Sequence, residues 1–258
     1  LNGIASISGG NLLFSPNANF TGSGSVTYTL SDGFTTTSGS LSISVTPLND
    51  APSGSDKTIT ILEDGSYTFT AADFGFTDPA DISSHSGANG FQSLIISSLP
   101  GSGSLQLAGI AVTVGQEISA ANISSLSYLA AANANGSAIA FFSFRVRDDG
   151  GTTNGGSDLD PSANTIRFDA TAVNDAPAGS NGQVYLTDSN PYIFKISDFG
   201  FTDPSDASTS AGANLLSSII INSLPVLGEL QLAGAPVAIG QEISSASIST
   251  LSYIAPVT

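Results

Sequence analysis

The sequence predicts an all-β chain built from tandem Greek-key β-sandwiches, and three observations carry the prediction. Apolar and polar residues alternate with period two in short runs such as Val26/Tyr28/Leu30, Leu41/Ile43/Val45 and Phe142/Phe144/Val146. Turns rich in Gly, Pro, Ser and Asn separate these runs. The chain also repeats itself: Asp73-Phe-Gly-Phe-Thr-Asp-Pro returns at Asp198, and Asn49-Asp-Ala-Pro52 returns at Asn174, both displaced by 125 positions (198−73 and 177−52). Self-similarity at a fixed period marks an array, in which each unit is a building block rather than the vessel of one active site.

One complete module can be traced between two copies of the Asn-Asp-Ala-Pro segment. Strand A falls near Thr58–Leu62, B near Ser66–Ala71, C near Gln92–Ser98, D near Ser104–Leu107, E near Leu126–Leu129, F near Ala140–Arg147 and G near Thr165–Val173. Seven short strands in a stretch of this length imply a Greek-key sandwich. The segment Gly115–Ile123, repeated at Gly240–Ile248, reads as a short helical turn between D and E. The resulting organisation is a C-terminal part of one module over 1–51, a complete module over 52–176 and an N-terminal part of a third over 177–258. With 258 residues and 40% apolar content, each module can bury its own core.

Charge and composition exclude several function classes. Five Lys and Arg stand against 21 Asp and Glu, a formal charge of −16, so DNA and anionic lipid surfaces would be repelled and cations become the expected partners. The apolar stretches around Leu94–Ile96 and Ile219–Ile221 are strand-sized, so no membrane insertion is expected, and the first residues do not read as a secretion signal. Zero Cys means no disulfide framework and no thiolate metal site. His85 is the only imidazole and its position one period later is Ser210, which speaks against a His-dependent enzyme. The absence of Trp likewise weakens a saccharide cleft built on aromatic platforms. The chain is therefore expected not to be an enzyme.

The acids concentrate in turns. Asp50, Asp64, Asp73, Asp78, Asp81, Asp148, Asp149, Asp158, Asp160, Asp175, Asp203 and Asp206 fall there, whereas Asp169 and Glu229 are the strand exceptions; outward strand positions are mostly Ser and Thr, with Arg145, Arg147 and Arg167 on two neighbouring strands. The strand order places the B–C and F–G loops at one end of the module and the A–B turn with Glu63 and Asp64 at the other. Strand G then runs into Asn174-Asp175, so oxygen ligands from two modules and a linker are expected to converge on a junction. Carboxylates about 4–5 Å apart repel by roughly 1 kcal/mol per pair in water and several-fold more where water is excluded. A hard divalent cation relieves that repulsion, and calcium, with six to eight oxygen ligands in flexible geometry, suits it better than Mg²⁺. The segment 150–161 is either an irregular F–G loop or, through Asp158 and Asp160, the cap of a second site.

Leu48-Asn-Asp-Ala-Pro52 and Val173-Asn-Asp-Ala-Pro177 resemble the linker of bacterial cadherin-like tandem repeats, found in very large calcium-dependent adhesins exported by type I secretion (the RTX type). Asn17–Gly22 followed by Val26–Gly33 resembles that family's E–F turn and F strand, and Phe144–Gly150 is the counterpart in the complete module. The resemblance implies a cadherin- or immunoglobulin-like sandwich and calcium ligands at Asn49, Asp50, Glu63, Asp64, Asp78, Asp81, Asp148, Asn174, Asp175, Asp203 and Asp206, with Asp188 matching Glu63 and Asp32 matching Asp148. Two departures from the pattern imply fewer or weaker ions. The paired aspartates are spaced by two residues rather than one, and the turn Ala131–Gly136 lacks an acid. The expected function is an extracellular stalk segment of a bacterial surface adhesin, its linkers stiffened by calcium and its partners the adjacent modules, with cell-surface proteins or glycans as further candidates. A carbohydrate- or ligand-binding module and a metal-independent spacer are the alternative readings.

Overall fold

A computed structural model describes residues 3–81, 88–186, 190–206 and 213–256. The chain divides into two compact units, Leu1–Ala170 and Thr171–Thr258. His85, Asp188 and Ser210 lie outside the described residues.

The first unit opens with two antiparallel hairpins. Strands β1 (Gly3–Ser8) and β2 (Asn11–Pro16) pair, as do β3 (Gly22–Ser31) and β4 (Thr36–Val45). The sandwich that follows is built from β5 (Lys57–Leu62), β6 (Ser66–Thr68), β7 (Phe91–Ser98), β8 (Ser104–Leu107), β9 (Ile110–Ala111), β10 (Glu117–Ser119), β11 (Leu126–Leu129), β12 (Gly136–Asp148) and β13 (Asn164–Thr171). One sheet runs β10-β7-β12-β13-β5 and the other β6-β11-β8-β9. The pairs β10–β7, β7–β12, β12–β13, β6–β11, β11–β8 and β8–β9 are antiparallel, as is usual in a sandwich whose outer faces meet water, and the start of β5 lies beside the start of β13.

Alternation decides which side chains face inward. Along β12 every second residue, Phe142, Phe144 and Val146, is fully buried, and Ile166 and Phe168 repeat the pattern on β13. They meet Phe69, Leu94, Ile96, Leu126 and Tyr128 in one core. Tyr128 stacks on Phe168 at 3.9 Å between ring centroids, and its hydroxyl escapes the apolar interior by donating to Ser102 O (3.1 Å).

The expected strands C, D, E, F and G coincide with β7, β8, β11, β12 and β13 to within a few residues, and two elements differ. Strand B was expected to reach Ala71, but β6 stops at Thr68 because Thr70 begins a 3-10 turn, Ala71–Phe74. The segment Gly115–Ile123 is not simply a helical turn. Glu117–Ser119 pairs with β7 and only then does a 3-10 turn, Ala120–Ser125, follow, because the extended segment turns Ile118 into the core. Glu117 and Glu242 thus join Asp169 and Glu229 as strand carboxylates, and Asp148, expected in a turn, is the last residue of β12 because β12 stays paired with β7 up to that position.

The 3-10 turn explains why Asp-Phe-Gly-Phe recurs. Asp73 Oδ2 accepts from the Thr70 N–H (2.7 Å) and hydroxyl (3.0 Å), capping the turn; Phe74 is fully buried against Phe69 and Phe144; Gly75 takes φ +58, where a Cβ would run into Ser55 Oγ. Asp198, Phe199 and Gly200 repeat this, with Asp198 Oδ2 accepting from Lys195 N–H (2.8 Å), Phe199 packed on Phe194, and Gly200 at φ +55. The motif is a structural plug that anchors the B–C loop.

The second unit repeats the first part of the sandwich. It contains β14 (Tyr192–Ile193), β15 (Ser218–Ile220), β16 (Glu229–Leu232), β17 (Ala235–Pro236), β18 (Glu242–Ser244) and β19 (Leu251–Ile254), ordered β14-β19-β16-β17 and β15-β18. Val237, Ile243, Ile248 and Leu251 form its buried cluster. Among the described residues no helix is long and apolar enough to cross a membrane.

Candidate metal centre

In the first unit the linker is stitched directly to the B–C loop. Ser53 and Thr77 exchange two backbone hydrogen bonds of 2.8 Å, which sets Asp78 beside Asn49-Asp50. Asp50 N–H donates to Asp81 Oδ2 (3.0 Å), and Asn49 Nδ2 donates to Asp148 Oδ1 (3.0 Å) at the end of β12. Asp78, Asp81 and Asp148 are all buried, Asp148 completely. No Lys or Arg ion pair reaches them among the described residues, since Arg147 is engaged by Glu117 and Asp158.

This electrostatic arrangement is costly without a counter-ion. Burial pushes the carboxyls of Asp81 and Asp148 above their ordinary value; Asp78 and Asp50 add repulsion at Asp81, and Asp78 and Asp158 do so at Asp148. Asp78 Oδ1 and Asp148 Oδ2 are buried with no hydrogen-bond donor among the described residues. A buried carboxylate oxygen left without a donor or cation loses its hydration uncompensated. The donor set, carboxylate and amide oxygens with no sulfur or imidazole, is that of a hard cation.

The second unit reproduces the arrangement. Ala178 and Thr202 exchange two 2.8 Å backbone bonds, Asp175 N–H donates to Asp206 Oδ2 (3.2 Å), Asp203 and Asp206 are buried, and Asp203 Oδ1, one period after Asp78 Oδ1, is again buried without a donor among the described residues. Two copies of one uncompensated oxygen distinguish a built feature from a chance turn.

Asn89 and Asn214 belong to these clusters and escaped the sequence reading. Asn89 N–H donates to Asp78 Oδ2 (2.8 Å) and its side-chain amide reaches Asp81 Oδ2 (3.1 Å) and Asn49 Oδ1; Asn214 does the same with Asp203 (2.9 Å), Asp206 (3.0 Å) and Asn174. The signal was present, because Gly87-Ala-Asn89 returns at Gly212-Ala-Asn214.

The remaining described acids each have a donor of their own. Glu63, buried, accepts from Asn135 Nδ2 (2.7 Å), and the exposed Asp64 accepts from Asn133 N–H (2.8 Å), so both sit beside the turn between β11 and β12, at the far end of β5. Asp73 is bound by Lys57 Nζ at 2.6 Å. Asp158 pairs with Arg147 (2.8 Å), and Asp160 accepts from Gly54 N–H, Ser162 and Asn164, which makes 150–161 an ordered loop held by its own acids. A cleft lined by Asn17, Asn19, Thr21, Thr46, Asp50 and Asp81 brings the turn between β2 and β3 alongside the linker.

A family model described as a bacterial Ig domain matches residues 1–46. That segment, the two N-terminal hairpins, is thus similar to a bacterial Ig-like repeat. No curated protein and no solved structure matches the chain.

Proposed function

We propose that the chain is a segment of a bacterial surface adhesin stalk, made of tandem Ig-like sandwiches whose linkers are stiffened by calcium. The observation that carries the reading is the recurrence, one period apart, of a buried carboxylate oxygen with no donor among the described residues, Asp78 Oδ1 and Asp203 Oδ1, each beside an Asn-Asp linker. Asn49, Asp50, Asp78, Asp81 and Asp148 would hold an ion in the first unit, and Asn174, Asp175, Asp203 and Asp206 in the second; Glu63 and Asp64 would contribute at the opposite end of the complete module. The match of residues 1–46 supports the Ig-like part, since such modules are common on surface proteins. The cadherin-like linker motif supports the calcium part and, with the acidic composition, an extracellular location. Bound calcium would supply charge neutralisation and six to eight coordination positions, which the residues of loop and linker share.

Calcium titrated calorimetrically into chelator-treated protein should bind with Kd of roughly 10⁻⁴–10⁻³ M, the range of extracellular modules. Small-angle scattering of the same samples should show a radius of gyration that changes with calcium. No heat of binding at millimolar calcium would overturn the metal, leaving a metal-independent spacer.

A further inference from the structure

We infer that the loop between β12 and β13, residues 149–163, is a metal-independent clamp that seats the linker and so presets the candidate ion site. The inference rests on the metal reading only in its second half, because the clamp is made of bonds that need no ion. Ser157 N–H donates to Asn49 O (2.9 Å), and Asn49 Nδ2 donates back to Ser157 O (2.7 Å), so one loop residue holds both the backbone and the side chain of the linker asparagine. Five residues on, Gly54 N–H donates to Asp160 Oδ2 (2.8 Å). The linker is therefore gripped at both ends.

The clamp is itself rigidly mounted. Asp160 is 1% exposed, and its carboxylate also accepts from Ser162 N–H (2.9 Å), Ser162 Oγ (3.0 Å) and Asn164 Nδ2 (2.8 Å). Asp160 N–H returns to Val146 O (3.0 Å), Asp148 N–H to Asp158 O (3.0 Å), and Arg147 ties Asp158 to the β12 surface. Fit is close. At Gly150 a Cβ would run into Asn49 Oδ1 and Asn89 Nδ2, and at Gly156 it would lie 3.1 Å from Asn49 Cβ, so small residues are required where loop and linker touch. By contrast, the equivalent turn between β3 and β4 spans four residues and is closed on itself by Asp32 Oδ1, which accepts from Phe34 N–H (2.8 Å) and Thr35 N–H (2.6 Å).

None of these bonds uses Asp78 Oδ1 or Asp148 Oδ2, the two oxygens of this cluster that have no donor among the described residues. Clamp and ion thus draw on separate atoms. Ser157 and Asp160 act as positioning residues: they fix Asn49 against Asp148 before any ion arrives, which lowers the ordering cost of binding.

Hydrogen exchange of the full chain in chelator tests the first half. Wild-type linker amides should be protected without calcium, and Asp160→Ala should lower protection at Gly54 by about tenfold, the equilibrium effect of one buried hydrogen bond. Asp160→Asn, which keeps one acceptor oxygen, should restore part of it, and Ser157→Pro, which removes the donor to Asn49 O, should speed exchange at the neighbouring Asp50 N–H while Ser157→Ala does not. Linker amides that exchange in chelator equally fast in wild type and Asp160→Ala would overturn the clamp. Calorimetric titration with calcium chloride tests the second half: Asp160→Ala and Ser157→Pro should bind about three- to tenfold more weakly with unchanged circular dichroism, and Ser157→Ala as wild type. Unaltered affinity in Asp160→Ala would overturn the presetting role. If wild type itself binds no calcium, the metal reading falls and presetting falls with it, while the exchange result still decides the clamp.

Discussion

At the scale of single residues, one aspartate type does two opposite jobs. Asp73 is a structural anion: burial alone would raise its carboxyl, but Lys57, the Thr70 N–H and hydroxyl, and the Tyr67 hydroxyl outweigh it and hold the group below its ordinary value. Because the folded value lies below the unfolded one, the stabilisation is complete above the ordinary carboxylate range of about 3.9 and is lost as pH falls through the folded value. Asp73→Asn should cost about 2 kcal/mol at neutral pH and flatten the acid limb of a Tm-against-pH curve. Asp148 has the reverse character, raised by burial and by Asp78 and Asp158. Its charge burdens the metal-free fold, so Asp148→Asn should leave stability in chelator unchanged or higher, within about 1 kcal/mol. The same variant should lose the share of the calcium-dependent rise in Tm that comes from the first unit. A drop in chelator stability larger than that would mean Asp148 is a purely structural acceptor.

Among the elements, the B–C loop owes its position to an apolar anchor rather than to its acids. Phe74 is fully buried with its ring 4.9 Å from that of Phe144, and the adjoining Phe76 stacks on Phe91 at 5.1 Å. Phe74→Ala should cost about 3–5 kcal/mol by chemical denaturation and weaken calcium binding, because the loop carrying Asp78 and Asp81 would lose its plug. The sequence exposed the strands well, since period-two alternation is a local property that Phe142/Phe144/Val146 display openly. It exposed the strand ends poorly. Thr70 reads as one more strand residue until the cap made with Asp73 is seen, and Glu117–Ser119 reads as a turn until β7 is there to pair with it.

For the molecule as a whole, the dominant quantity is a net charge of −16 whose relief should appear as stability. Calcium at ten times its Kd should stabilise the chain by about 1.4 kcal/mol, read as a rise in Tm beyond that given by NaCl of equal ionic strength. Equal effects of the two salts would reduce calcium to a screening ion. The repeat of 125 positions, the β character and the gathering of acids into turns near the Asn-Asp linkers were all legible in the chain, because period, alternation and composition are one-dimensional properties. Which oxygens stay without a donor among the described residues, why Asn89 and Asn214 complete the clusters, and that Asp160 holds Gly54 were decided only by tertiary structure. Those facts depend on atoms many residues apart, Asn49 against Asp148 and Gly54 against Asp160, meeting within hydrogen-bond distance, and only the folded chain settles which of many acids finds a donor.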